Sequence, residues 1–311
     1  MHSTGVVIAS LLVAAASVVG VLDLSTFWVV LILAAGVTLI GVPHGGLDHL
    51  TGRRLLLSRF PNTWALIFFP AYLVVAAIVA AGWFVVPTVT VIGFFLLSAW
   101  HFGLEDERFK VSSKVLGGLN TLAIGGMVIW IPMLTRPEEV SSILETIIPS
   151  NMSVSAEAIV MASQIIAWAL LPVLLLALGK DLQTGNRARF ARNAAVCVLF
   201  ATANVLLSFA IYFCCWHSIR GLQRLARSNS LGPWQLIKAT APLTFGAIGL
   251  AGVGMWFWSS GQMIDEAVSR TVFVALSAMA VPHLVLHGPV TDGIKKLIGP
   301  SVSLNKSGAM A

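Results

Sequence analysis

The most constraining feature of this chain is a series of uninterrupted apolar runs. They lie near 4–22, 25–43, 63–86, 88–103, 115–134, 158–179, 193–218, 239–258 and 271–290, and none contains Lys, Arg, Asp or Glu. A helix needs about 20 such residues to cross the hydrocarbon core of a bilayer. Hydrocarbon offers no partner to a loose N–H or C=O, and over such long runs only a helix pairs its own backbone groups. The predicted fold is therefore all-α: a polytopic integral membrane helical bundle of about 8–10 transmembrane segments. Composition agrees, with 57% hydrophobic and 10% charged residues, where a soluble domain carries about a quarter charged. No repeat, low-complexity tract or soluble domain interrupts 1–311, which reads as one integral membrane domain.

The formal net charge is +6. The basic residues sit in short loops between apolar runs, so they point to topology and anionic headgroups, and nucleic acid is excluded as a partner. Arg53, Arg54 and Arg59 follow the second run, Arg108, Lys110 and Lys114 the fourth, and Lys180, Arg187, Arg189 and Arg192 the sixth. The loops between them are uncharged or acidic, so sides alternate. The alternation breaks after 193–218, where Arg220, Arg224, Arg227 and Lys238 make a second consecutive basic loop. Two passes, or a broken or re-entrant pair within 193–218, would keep that loop inside. The tail, with Lys295, Lys296 and Lys306, is again basic. The first run lacks a basic flank and reads as a retained span. The reading is a protein of the cell (inner or plasma) membrane with both termini cytoplasmic. Cys197, Cys214 and Cys215 lie in apolar stretches without metal-type spacing and read as small core residues.

Histidine carries the chemistry. Of seven in the chain, His44, His49, His101, His217, His283 and His287 lie at or inside the ends of apolar runs. Imidazole is costly in hydrocarbon and there faces partners, water or a metal. On the alternating topology His44, His101 and His283 lie toward the inner side, and His217 joins them if 193–218 is a double pass but is stranded at the outer face if it is a single one; the double pass makes the four candidate ligands of one buried metal. Neutral imidazole suits iron, copper and zinc. Four neutral ligands leave the ion its charge and open positions, which suits Fe(II) and O2. His287 stands four residues after His283, so both imidazoles share a helical face; it is either a further ligand or a residue of the inner interface. Asp48 stands four residues after His44. It either faces headgroups or accepts the second ring N–H of a ligand histidine and so orients it. His49 points elsewhere and is a weak candidate, as is Asp106 in its charged surroundings. Aromatic residues crowd the same motifs. Trp100, Phe102, Phe213 and Trp216 are ordinary core or interfacial belt, or else the wall of a tunnel for a long apolar substrate.

The motifs Pro43-His44-Gly45-Gly46-Leu47-Asp48-His49, Ser98-Ala99-Trp100-His101-Phe102-Gly103, Tyr212-Phe213-Cys214-Cys215-Trp216-His217-Ser218 and Val281-Pro282-His283-Leu284, in this order, resemble the Brp/Blh family of bacterial and archaeal β-carotene 15,15′-dioxygenases. The resemblance runs from about 25 to 290. It implies a polytopic membrane enzyme that uses non-haem Fe(II) and O2 to cleave the central double bond of β-carotene into two retinals, with carotenoid entering sideways from the bilayer. It implies iron ligation by His44, His101 and His217, maps a further family histidine to His283, and matches Asp48 to the family's aspartate. In one respect the chain departs from the family pattern. The family's third motif commonly carries a second histidine four residues after the first, and here that position is Gly221. The alternative function for such a chain is a transporter or channel that uses intramembrane histidines as a proton or metal relay.

Overall fold

A computed structural model describes residues 2–106, 113–148, 155–258 and 263–287, all of it helices and short connections. The side chain of Asp106 and the basic tail with Lys295, Lys296 and Lys306 lie outside the described residues. The helices are α1 (His2–Val18), α2 (Thr26–Gly36), α3 (Val42–Gly45), α4 (Asp48–Leu56), α5 (Trp64–Val85), α6 (Pro87–Asp106), α7 (Lys114–Gly125), α8 (Met127–Thr135), α9 (Pro137–Ile147), α10 (Ala156–Gln183), α11 (Arg187–Thr202), α12 (Val205–Ala210), α13 (Ile219–Ser228), α14 (Pro233–Trp258) and α15 (Ile264–His287). Two stretches of π-helix, Val37–Gly41 and Ile211–Ser218, join α2 to α3 and α12 to α13.

Among the described residues, seven helices are long and apolar enough to cross a membrane, or eight if the bent pair α7–α8 makes one span. This is a membrane protein with the helical bundle that the apolar runs predict. The count falls at the lower edge of the expected range because α1 is short and α11 is short and basic at its start. The run 115–134, expected as one span, bends by 62° between Gly125 and Met127. The loop expected at 135–157 holds α9, whose Val140, Leu144 and Ile147 are buried on one face.

The run 193–218 is broken, as its flanking charges suggest. α11 ends at Thr202, Ala203 is extended, and the Asn204 side chain caps the next helix by accepting from Leu207 N–H at 3.1 Å. A break exposes backbone groups that must find partners. α9 supplies them. Glu139 accepts from Val205 N–H at 2.7 Å, Arg136 donates to the Thr202 carbonyl at 3.1 Å, and the two side chains pair at 2.6 Å.

Span 26–56 is continuous through a proline. Pro43 has no N–H and its ring collides with the carbonyl one turn back. The helix widens just ahead of it, where Val42 N–H bonds the Val37 carbonyl five residues back. Such π-bulges recur at functional sites. The second π stretch carries His217. Glycines bring the flanking helices close: a Cβ on Gly36 would meet Cys214 at 2.9 Å, and one on Gly41 would meet Phe213 at 2.6 Å. Gly103 and Gly125 do the same where α6 crosses α7.

Candidate metal centre

Four helices deliver one histidine each. His44 sits on α3, His101 on α6, His217 on the second π stretch and His283 on α15, all buried. Each lies in the C-terminal half of its span. Their rings form a closed circuit: His44 to His217 at 5.1 Å between centroids, His217 to His101 at 5.0 Å, His101 to His283 at 5.2 Å, and His283 back to His44 at 5.1 Å. His44, His101 and His217 each offer a nitrogen within 4.8 Å of the other two.

Asp48 organises the fourth ring. Expected to lie past the end of its span, it lies inside a span that continues through α4 and is fully buried. It orients no nitrogen of His44. Its two oxygens meet His283 Nδ1 at 2.8 and 3.0 Å, one meets His287 Nε2 at 3.0 Å, and Tyr72 donates to the other at 3.0 Å. An ionised carboxylate only accepts, so His283 Nδ1 donates to it, and in the neutral ring that leaves the Nε2 lone pair free. The structure thus puts His287 on Asp48, 4.6 Å from His283 and outside the circuit of four rings. His49 bonds the Gly46 carbonyl of its own turn. Tyr72 escaped the sequence reading. Its signal was available: the chain has only 2 tyrosines, and this one interrupts an otherwise apolar helix.

The arrangement fits a metal. Both ring nitrogens of His44 are buried without a hydrogen-bond partner. Leaving such a group unpaired costs about 1–3 kcal/mol, and a cation that takes the lone pair of one nitrogen removes that nitrogen's share of the penalty. The donor set, imidazole throughout with carboxylate support behind one ring, suits a borderline divalent ion such as iron better than a hard one.

All four rings also line a cavity of about 540 Å³. Its remaining wall is nearly all apolar, drawn from α5, α6, α8, α9, α12, α14 and α15, with Ser98 and Tyr72 as polar exceptions. One side is a file of stacked rings: Phe273 on Phe209 at 6.1 Å, Phe209 on Phe213 at 5.3 Å, and Phe213 on His217 at 5.8 Å. Of the aromatic residues proposed for a tunnel, Phe102 and Phe213 line this cavity and Trp100 and Trp216 do not. Each tryptophan directly precedes a histidine that faces the cavity but is itself turned away from it, whereas Phe102, directly after His101, lines it. Trp100 lies against Gly118, and Trp216 lies beneath the guanidinium groups of Arg192 and Arg220.

The sequence model of the β-carotene 15,15′-dioxygenase family matches residues 35–289. A protein of Halobacterium salinarum named probable β-carotene 15,15′-dioxygenase Blh is 25% identical over 283 residues, covering 82% of this chain and 82% of its own. A β-carotene 15,15′-dioxygenase of the uncultured marine bacterium 66A03 is 28% identical over 263 residues, covering 80% of this chain and 90% of its own. No solved structure matches.

Proposed function

The chain belongs to the β-carotene 15,15′-dioxygenase family of oxygenase enzymes, and on that premise we propose that it cleaves the central double bond of β-carotene with O2 to give two retinals. The observation that carries this reading is the circuit of four buried imidazoles in the wall of a largely apolar cavity. We assign Fe(II) to His44, His101, His217 and His283. Iron supplies the one-electron chemistry that lets O2 react with a closed-shell polyene. The protein supplies position and a dry site. Asp48 holds the proton on His283 Nδ1 and so turns the other nitrogen to the centre, while Tyr72 and His287 hold Asp48. It is a positioning residue and touches no reacting atom. The stacked file Phe273, Phe209, Phe213 offers a flat apolar rail along which a polyene lies, leading to His217. Carotenoid enters sideways from the bilayer between α5 and α14, both of which line the cavity and have only 6% of their apolar windows buried.

The reaction balances without an outside reductant. One C=C and one O=O bond are exchanged for two C=O bonds, and each oxygen atom ends on one aldehyde. The site lies toward the cytoplasmic end of the bundle in the cell membrane. A relay for protons or metal ions is not favoured, because the family is one of oxygenases and the cavity beyond the histidines is walled by apolar side chains, Ser98 and Tyr72 aside.

Expression in cells that make β-carotene tests the reading. Retinal is expected as the sole apocarotenoid, with label from ¹⁸O2 in both halves when reduction to retinol traps it before exchange. His101→Ala is expected to make none. Two apocarotenoids of unequal length, or label in half of the product, would overturn central dioxygenation.

A further inference from the structure

The seam between the helices that carry His44 and His217 sets small residues against large ones. Gly36 faces Cys214 and Gly41 faces Phe213, with the glycine on the first helix both times. Further along, at the level of the histidines, the pattern reverses. The glycine is Gly221, on the second helix, and a Cβ there would run into the His44 ring, with Cε1, Nδ1 and Nε2 all in its way. Gly221 is buried and lies within α13. Its backbone does not require glycine, since among the described glycines only Gly20 and Gly185 have positive φ. Glycine is otherwise a poor choice inside a helix. What it provides here is volume, and the imidazole of His44 fills that volume.

We propose that Gly221 is the seat of the His44 ring. The absent side chain lets His44 lean across the seam to within 5.1 Å of both His217 and His283, with both of its nitrogens unpaired. A consequence follows for the ligand set. Because α13 contributes space at this level, the fourth nitrogen comes from α15, through His283. Gly221 thus sets the metal geometry without touching the metal. This assignment rests on the iron reading above.

Two measurements test the seat, and they separate its failure from that of the iron reading. The first is iron affinity, by chelator competition on purified protein loaded anaerobically with Fe(II). Gly221→Ala is expected to weaken it at least ~10-fold, in the range that supporting groups of metal sites show. Gly179→Ala, where an added Cβ meets nothing within 4 Å, is expected to leave it unchanged. Wild-type protein that takes up no iron would end the iron reading and leave the second measurement standing. That is a cycle of metal-free melting temperatures over wild type, Gly221→Ala, His44→Ala and the double variant. Gly221→Ala is expected to lower the melting temperature when His44 is present, and to leave it unchanged or raise it once that ring is gone. An equal drop in both backgrounds, or native iron affinity in Gly221→Ala, would overturn the proposal.

Discussion

Asp48 accepts from two imidazoles and a phenol while fully buried, so each partner it loses leaves a polar group stranded in an apolar bundle. Asp48→Asn keeps the shape but brings donors of its own to face donors. It is expected to weaken iron binding by about 10–100-fold, where Tyr72→Phe removes one neutral donor and costs about 1 kcal/mol of stability. Chelator competition and thermal melting measure the two. His283→Ala is expected to abolish iron retention and His287→Ala only to weaken it; equal losses would return His287 to the ligand set. Residue type was legible at this scale, because an imidazole in an apolar run needs a reason. The pairing was not. Asp48 and His283 stand 235 residues apart, and spacing alone left Asp48 open between His44 and a ligand across the bundle. Trp100 and Trp216 drew attention by adjacency to histidines, which does not decide by itself which face a residue takes: Phe102 is as near to His101 in sequence and does line the cavity.

At the scale of elements, the break between α11 and α12 is held by side chains from a third helix. Glu139 takes the exposed Val205 N–H while paired with Arg136, which caps the Thr202 carbonyl. Glu139→Ala leaves the Val205 amide without its acceptor and Arg136 without its ion pair, and is expected to cost about 2.5–6 kcal/mol, the sum of a charged hydrogen bond and an unmet donor. Glu139→Gln keeps an acceptor and is expected to recover part of it. Melting temperatures in one detergent decide this; an unaltered Glu139→Ala protein would mean that the break is stabilised otherwise. Loop charges made the break itself legible, because two consecutive basic loops need an even number of passes between them. The bend at Gly126 and the helix α9 were not legible. An apolar run reports its own length, whereas a bend there depends on what packs against it.

Across the whole molecule, polar contacts between helix ends fall into two sets. Arg54 of α4 pairs with Asn229 just after α13, and Arg224 of α13 with Glu105 near the end of α6. Arg136 and Glu139 meet Thr202 and Val205, and Arg270 donates to the Thr146 carbonyl at 2.9 Å. The first set is assigned to the cytoplasmic face. A single cysteine at Arg224 in intact cells is expected to resist membrane-impermeant thiol reagents until the membrane is opened, and labelling from outside would invert the topology. One further consequence comes from α5 and α14, the helices that flank the cavity while barely covered by protein. We propose that the protein does not finish its own binding wall and that annular acyl chains complete it. A micelle in place of a bilayer would therefore change the enclosure around the reacting polyene as directly as a mutation would, and lipid chain length and saturation become variables of turnover.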